Sequence, residues 1–63
     1  MKRYWQVIVV EHPKRGISYT YGALDAERRP RDHIRVLPTH TIYITYHSTP
    51  AEANARICAV CGR

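Results

Sequence analysis

Two cysteines and four histidines are the side chains of this sequence that could hold a metal ion. Cys58 and Cys61 have the Cys-x-x-Cys spacing of a zinc half-site or of a redox pair. A zinc site needs two more ligands, and the sequence contains neither a second cysteine pair nor an HxxxH motif. His47 is the weak candidate for a third ligand. We therefore expect no metal and no cofactor, and two small, half-buried cysteines that close a helix.

A redox role for the same pair is disfavoured by its position. Reactive thiolates are favoured at helix N-termini. Cys58 and Cys61 fall at the C-terminal end of a predicted helix, where the helix dipole raises the pKa of a thiol.

Arginine dominates the charge of the chain. Ten Lys and Arg face five Asp and Glu, which gives a formal charge of +5. Such a balance is typical of a protein that meets an anionic partner: nucleic acid, an acidic protein groove or a membrane surface. The alternative is that the charge only keeps a small protein soluble. Eight of the ten precede residue 36 and form the candidate basic set: Lys2, Arg3, Lys14, Arg15, Arg28, Arg29, Arg31 and Arg35.

Aromatic side chains on predicted strands could stack nucleic-acid bases beside these arginines. Trp5, Tyr19, Tyr21, Tyr43 and Tyr46 are the candidates. The alternative is that they belong to the core or the rim of a small sheet. No RNP-like, KH or helix-turn-helix signature accompanies them.

Catalysis is not expected. The sequence has no nucleophile in a recognisable elbow, no paired carboxylates and no glycine-rich phosphate loop. A chain of 63 residues also has little room for a buried pocket.

The elements that would position these residues are organised around the stretch from Thr41 to Glu52. Residues 41–47 are almost all β-branched or aromatic, which predicts a strand. Thr49, followed by Pro50 and then by Glu52, predicts an N-cap with a capping box. The helix should run from Pro50 to about Cys61, with Gly62 as its stop. Its apolar stripe is formed by Ala53, Ile57, Val60 and Cys61.

Two more strands precede this unit. Residues 4–11 predict a strand that is apolar on both faces, and residues 17–22 predict a strand with one apolar and one small polar face. A four-residue loop over 13–16 would join them as a hairpin. This loop pairs Val10 with Tyr19 and Ile8 with Tyr21. A loop one residue shorter would reverse which side chains face each other.

Segment 24–39 is the least regular part of the sequence. Asp25 could cap a single helical turn through Arg28, which Pro30 would then stop. Residues 34–37 could add a fourth strand, hairpinned to residues 41–47. Otherwise the segment is a long basic loop, and such loops in small domains tend to be functional or mobile.

One helix covers only one face of a small sheet. We expect it to cover Ile42, Ile44 and Tyr46, which leaves Trp5, Val7, Val9 and Tyr43 on the other face. That face is either covered by segment 24–39 or serves as a surface for self-association or for a partner.

The sequence thus predicts one α+β domain over 1–63. It has a small antiparallel sheet of three strands, with four as the alternative, and one C-terminal helix on one face. Tyr4 to Val10 is too short to span a bilayer, so a cytoplasmic protein without membrane contact is expected.

In size and lack of catalytic motifs the chain resembles the short accessory proteins of phages and mobile elements, many of which block a host machine. This resemblance implies a non-enzymatic inhibitor of a host nucleic-acid-handling complex. Sequence-tolerant nucleic-acid binding is the first alternative and a structural zinc protein the second. A homodimer is compatible with either. The expected partner-binding residues are Arg28, Arg29, Arg31, Arg35, Lys14, Arg15, Trp5 and Tyr43.

Overall fold

The computed structural model describes residues 1–61, with Cys61 described by its backbone only. Over this range the chain forms four strands and one helix: β1 (Lys2–His12), β2 (Gly16–Ala26), β3 (His33–Val36), β4 (Thr41–His47) and α1 (Pro50–Cys61). The strands build one antiparallel sheet in the order β2-β1-β4-β3. The α+β class and the C-terminal helix are confirmed, and the fourth strand is present.

The β1–β2 hairpin differs from the predicted register by one residue. His12 pairs with Gly16, so the loop has three residues, and Val9 lies opposite Tyr19 while Val10 lies opposite Ser18. The predicted pairing of Val10 with Tyr19 is therefore wrong. Gly16 adopts a φ of 89°, which is the left-handed position that closes a three-residue hairpin loop.

β2 is longer than predicted, because it continues through Asp25 to Ala26. Asp25 does not cap a helical turn, as the sequence suggested. It lies in the strand opposite Arg3 and accepts a hydrogen bond from Arg3 Nε at 3.1 Å. The pairing with β1 and the ion pair with Arg3 thus hold Asp25 in β2 instead of at the start of a helical turn.

Helix α1 begins as predicted. Thr49 Oγ1 accepts a hydrogen bond from the Glu52 amide at 3.2 Å, and the Thr49 carbonyl accepts the first helical bond from the Ala53 amide. The Glu52 carboxylate accepts a hydrogen bond from the Thr49 hydroxyl at 3.2 Å, whereas in the predicted capping box it would accept one from the Thr49 amide. The N-cap bond is therefore confirmed, and the reciprocal bond differs from the prediction. Each side chain thus fixes the other at the N-terminus. The predicted stop at Gly62 lies outside the described residues.

The main core lies between α1 and the face of the sheet formed by odd-numbered β1 residues, while Tyr4 is buried on the opposite face. Val7, Val9 and Ala53 are buried and are surrounded by Trp5, Tyr43, Ile57 and Val60. The predicted helix stripe is confirmed for its three described side chains. The predicted faces of the sheet are wrong, since α1 covers Val7 and Val9 and leaves Ile42 and Ile44 on the other side. The Cα envelope is 13 Å thick, which accommodates one sheet and one helix layer.

Candidate functional site

The face of the sheet opposite α1 has an aliphatic centre. Ile8 lies opposite Ile44, and Val10 lies opposite Ile42. All four side chains are half-buried, since each is shielded by its neighbours in the sheet but lies on the side away from the helix. We call this surface the open face. Its centre consists of β-branched aliphatic residues, which are the kind that normally pack against another element of structure.

Aromatic side chains close the two ends of the open face. At one end Tyr46 accepts a hydrogen bond from Gln6 Nε2 at 3.0 Å, and the His33 ring lies 6.4 Å from the Tyr46 ring. At the other end the rings of His12 and His40 are stacked, with centroids 6.1 Å apart and planes 10° apart. The Tyr46–His33 and His12–His40 ring pairs thus border the aliphatic centre at its two ends.

The two long sides of the open face differ in chemistry. On the β2 side Ser18 lies opposite Val10, and Thr20 lies opposite Ile8, so this side has small, uncharged side chains. On the β3 side Arg35 lies opposite Ile42 and His33 lies opposite Ile44. The guanidinium of Arg35 therefore belongs to the open face, next to its aliphatic centre.

Carboxylates on the strands are all directed to the helix side. Glu11 Oε1 accepts a hydrogen bond from the Tyr43 hydroxyl at 3.2 Å, and Asp25 pairs with Arg3. Odd-numbered residues of β1 and their partners share the face that α1 covers. The open face, over the strands that the structure describes, carries Lys2 and Arg35 and no acidic side chain. Arg35 is the strand cation next to the apolar centre, whereas Lys2 lies six residues from Ile8 along β1, about 20 Å away.

The segment between β2 and β3, residues 27–32, is held against the end of β4. Asp32 Oδ1 accepts hydrogen bonds from the Tyr46 amide and from Arg29 Nη1, both at 2.9 Å. Arg29 Nη1 also donates to the Tyr46 carbonyl at 3.2 Å. We call these three residues the clasp. Asp32 and Arg29 replace the backbone partners that β3 provides further along β4, so Arg29 has a structural role.

The arginines that the sequence brings together are divided by the fold. Arg28 and Arg31 are exposed in segment 27–32, whereas Arg35 lies in β3. Lys14 and Arg15 are exposed in the β1–β2 turn, at the opposite end of strands about 34 Å long. The structure thus places cations at both ends of the sheet and one at the open face, and no single loop carries them all.

Trp5 and Tyr43 lie on the helix side of the sheet. Both are half-buried and pack against the core beneath α1. They are therefore not part of an uncovered face, contrary to the sequence-based assignment. The hydrogen bond that Tyr43 donates to Glu11 raises its pKa above the usual value, as does the charge of Glu11, while the charge of Arg56 opposes this.

The candidate metal ligands are not assembled by the described part of the chain. Cys58 is exposed. His47 lies opposite Trp5, and its Nε2 makes a hydrogen bond with Thr45 Oγ1 at 2.9 Å. Among the described side chains, which exclude that of Cys61, no three His, Cys, Asp or Glu residues are grouped as a metal site.

The residues of the candidate site that sequence reasoning did not bring together are the four aliphatic residues of the open face. β1 has apolar side chains on both faces, so alternation could not show which of the two faces the helix covers.

A comparison with known proteins adds no functional residue: no family model, curated protein or solved structure matches the chain. Helix α1 is too short to cross a membrane, and the described residues contain no further helix.

Proposed function

We propose that this protein is a non-enzymatic binding module that docks on an acidic, partly apolar segment of another protein through its open face. By occupying that segment it would block or modulate the partner, a host complex that handles nucleic acid. The observation that carries the proposal is the aliphatic centre of Ile8, Val10, Ile42 and Ile44, which is bordered by Arg35 and has no carboxylate from the strands on its face.

The shape of the open face favours an amphipathic helix as its occupant. On the other side of the same sheet, α1 covers Val7 and Val9 with the small and aliphatic side chains of Ala53, Ile57 and Val60. A partner helix with an apolar stripe would cover Ile8 and Ile44 in the same manner. Acidic residues beside that stripe would meet Arg35 and Lys2.

A second copy of this chain is a poor occupant of the open face. An isologous contact would bring Lys2 and Arg35 of one copy against the same basic surface of the other. Like charges at such a contact oppose association. The carboxylates that could relieve this are committed to the helix side, where Glu11 meets Tyr43 and Asp25 meets Arg3.

Nucleic-acid binding is the second candidate, and the exposed Arg28 and Arg31 in segment 27–32 favour it. The open face fits this candidate less well. β-branched aliphatic side chains present no ring on which a base can stack, and stacking supplies much of the affinity for single strands. The Tyr46 phenol is hydrogen-bonded to Gln6, and the His12 ring stacks on His40.

A titration followed by NMR separates the two candidates. The probes are a helical peptide with a leucine stripe and flanking glutamates, the same peptide with lysines in place of the glutamates, and single-stranded DNA. We expect the acidic peptide to shift the amide signals of Ile8, Ile42, Ile44 and Arg35, and the basic peptide to have little effect. Binding of DNA alone, with shifts at Arg28 and Arg31 and a log–log salt slope of roughly −3 for four phosphate contacts, would reject the proposal.

A pair of matched variants tests which surface is used. Ile42→Thr with Ile44→Thr removes apolar groups from the open face and keeps β-branched side chains in β4. Ile34→Thr with Val36→Thr makes the same kind of change in β3, at side chains that are 62% and 79% exposed on the helix side. The first variant should lose the acidic peptide and the second should retain it. Equal loss in both variants would contradict the proposed surface.

A further inference from the structure

The two edges of the sheet are protected to very different degrees. β3 has four residues, is flanked by Pro30 and Pro38, and carries Arg35. β2 has eleven residues, and its stretch from Gly16 to Leu24 contains neither a charge nor a proline. Proline, charge and shortness are the features by which proteins prevent an edge strand from pairing with another chain. β3 has all three, and β2 has none of them over nine residues.

The hydrogen-bond pattern shows which residues of β2 have their backbone groups at the free edge. The amide and carbonyl of Tyr46 bond Asp32 and Arg29, on the side away from β1. In an antiparallel ladder its partner Gln6 must then direct its own groups toward β2, where Gly22 lies opposite. Alternation along β2 therefore turns the backbone groups of Ile17, Tyr19 and Tyr21 outward.

The same residues carry exposed side chains. Ile17, Tyr19 and Tyr21 are 47%, 52% and 42% exposed on the helix side of the sheet. β2 thus presents, over one uncharged stretch, a row of unpaired backbone groups and a row of large apolar side chains. The addition of another strand would pair these backbone groups and would also give the apolar side chains neighbours to pack against.

We infer that β2 is a dimerisation edge, on which β2 of a second copy pairs antiparallel about a two-fold axis at Thr20. The two sheets would join into one sheet of eight strands. In this register Tyr19 of each copy lies opposite Tyr21 of the other, and Ile17 lies opposite Ala23. Residues with outward backbone groups are thereby paired with each other, as the ladder requires.

Charge selects both the occupant and the register. The chain carries a net charge of +5, so two copies would repel each other at most surfaces, but the paired stretch is neutral. Gly16 to Leu24 is centred on Thr20, so the uncharged residues of one copy match those of the other. Just beyond them, Arg15 of one copy lies opposite Asp25 of its partner at both ends. This inference is independent of the proposed function. The two-fold axis places both open faces on the same side of the joined sheet and leaves both uncovered.

Mass measurement over a range of concentrations tests the association. Light scattering or sedimentation should show a species of twice 7.3 kDa, and the double variant Tyr19→Lys/Tyr21→Lys should remain monomeric because it places ammonium groups opposite each other. The control is Ile34→Lys/Val36→Lys on the protected edge, which should dimerise like the parent. A parent that stays monomeric at its solubility limit, or that grows beyond a dimer, would overturn the inference.

Disulfide trapping tests the register in a Cys58→Ser/Cys61→Ser background. Thr20 faces itself across the axis in a non-hydrogen-bonded pair, where Cα atoms are about 4.5 Å apart, which is within the range a disulfide allows. Thr20→Cys should therefore form a covalent dimer on mild oxidation. Ser18→Cys alone should not, because the axis separates its two copies by about 13 Å. A mixture of Ser18→Cys and Gly22→Cys should cross-link. Equal trapping of Thr20→Cys and Ser18→Cys would refute the register.

Discussion

Val9 and Val10 offer a direct test of which face of the sheet α1 covers. They are adjacent, have the same side chain and lie in the same central strand. Val9 is 2% exposed and belongs to the core, whereas Val10 is half-buried on the open face. Replacing each by Ala removes the same two methyl groups and changes the strand propensity by a similar amount. The difference between the two variants therefore measures the packing of α1.

The expected magnitudes follow from this burial. Deleting two fully buried methyl groups loses about 1.6 kcal/mol of transfer free energy, and the cavity left against Ala53 and Ile57 raises the cost to about 2–3 kcal/mol. At Val10 the side chain is already in contact with water and leaves no closed cavity, so we expect about 1 kcal/mol. For a domain of this size the difference corresponds to roughly 10 °C in Tm.

The assay is thermal and urea unfolding followed by circular dichroism, at one protein concentration for all variants. Val7→Ala serves as a second test of the helix side, because Val7 is 0% exposed. It should resemble Val9→Ala. If Val10→Ala destabilises the protein as much as Val9→Ala, or more, then the assignment of the core to the odd-numbered residues of β1 is wrong.

Three further predictions concern local contacts. Thr49→Ala should lower the free energy of unfolding by about 1 kcal/mol through loss of the N-cap, as measured in the same melts, whereas an unchanged melt would show that the cap is dispensable. Asp32→Ala should cost about 1–2 kcal/mol because it leaves the Tyr46 amide and Arg29 without their acceptor, while Arg31→Ala should stay within about 0.5 kcal/mol; equal effects would contradict the clasp. Glu11→Gln should lower the raised pKa of Tyr43, read from the difference in ultraviolet pH titration between variants with and without Tyr43→Phe. Since the pKa of Tyr43 in the folded protein lies above the ordinary tyrosine value of about 10, this contact stabilises the fold fully below that pH. Its contribution is lost as the pH rises through the folded-state pKa.

Local chemistry was sufficient to predict the elements with strong signals. Thr49, Pro50 and Glu52 specify a helix start from side chains that lie within one turn, and the helix spans Pro50–Cys61 as expected. Strand β4 has the predicted bounds of Thr41–His47, because β-branched and aromatic residues follow one another without a breaker. Residues 34–37 form the alternative fourth strand that the sequence predicts, and the structure has β3 at His33–Val36.

Long-range pairing decided what local chemistry left open. The turn over Pro13–Gly16 is compatible with three or four loop residues, and only the pairing of β1 with β2 selects three. Asp25 has an N-cap side chain, but its partner Arg3 is distant in sequence and holds it in β2. The clasp is a similar case, because nothing in the sequence around Asp32 indicates that it will bond the Tyr46 amide.

The sequence by itself determined that this protein has a capped C-terminal helix, β-rich strands, a strong positive charge and no catalytic motif. The tertiary structure alone decided which apolar side chains become the core and which become the candidate site. The physical reason is that β1 is apolar on both faces, with Val7 and Val9 on one and Ile8 and Val10 on the other. An alternating pattern distinguishes a buried face from a polar one, but two apolar faces differ only in which of them the helix packs against.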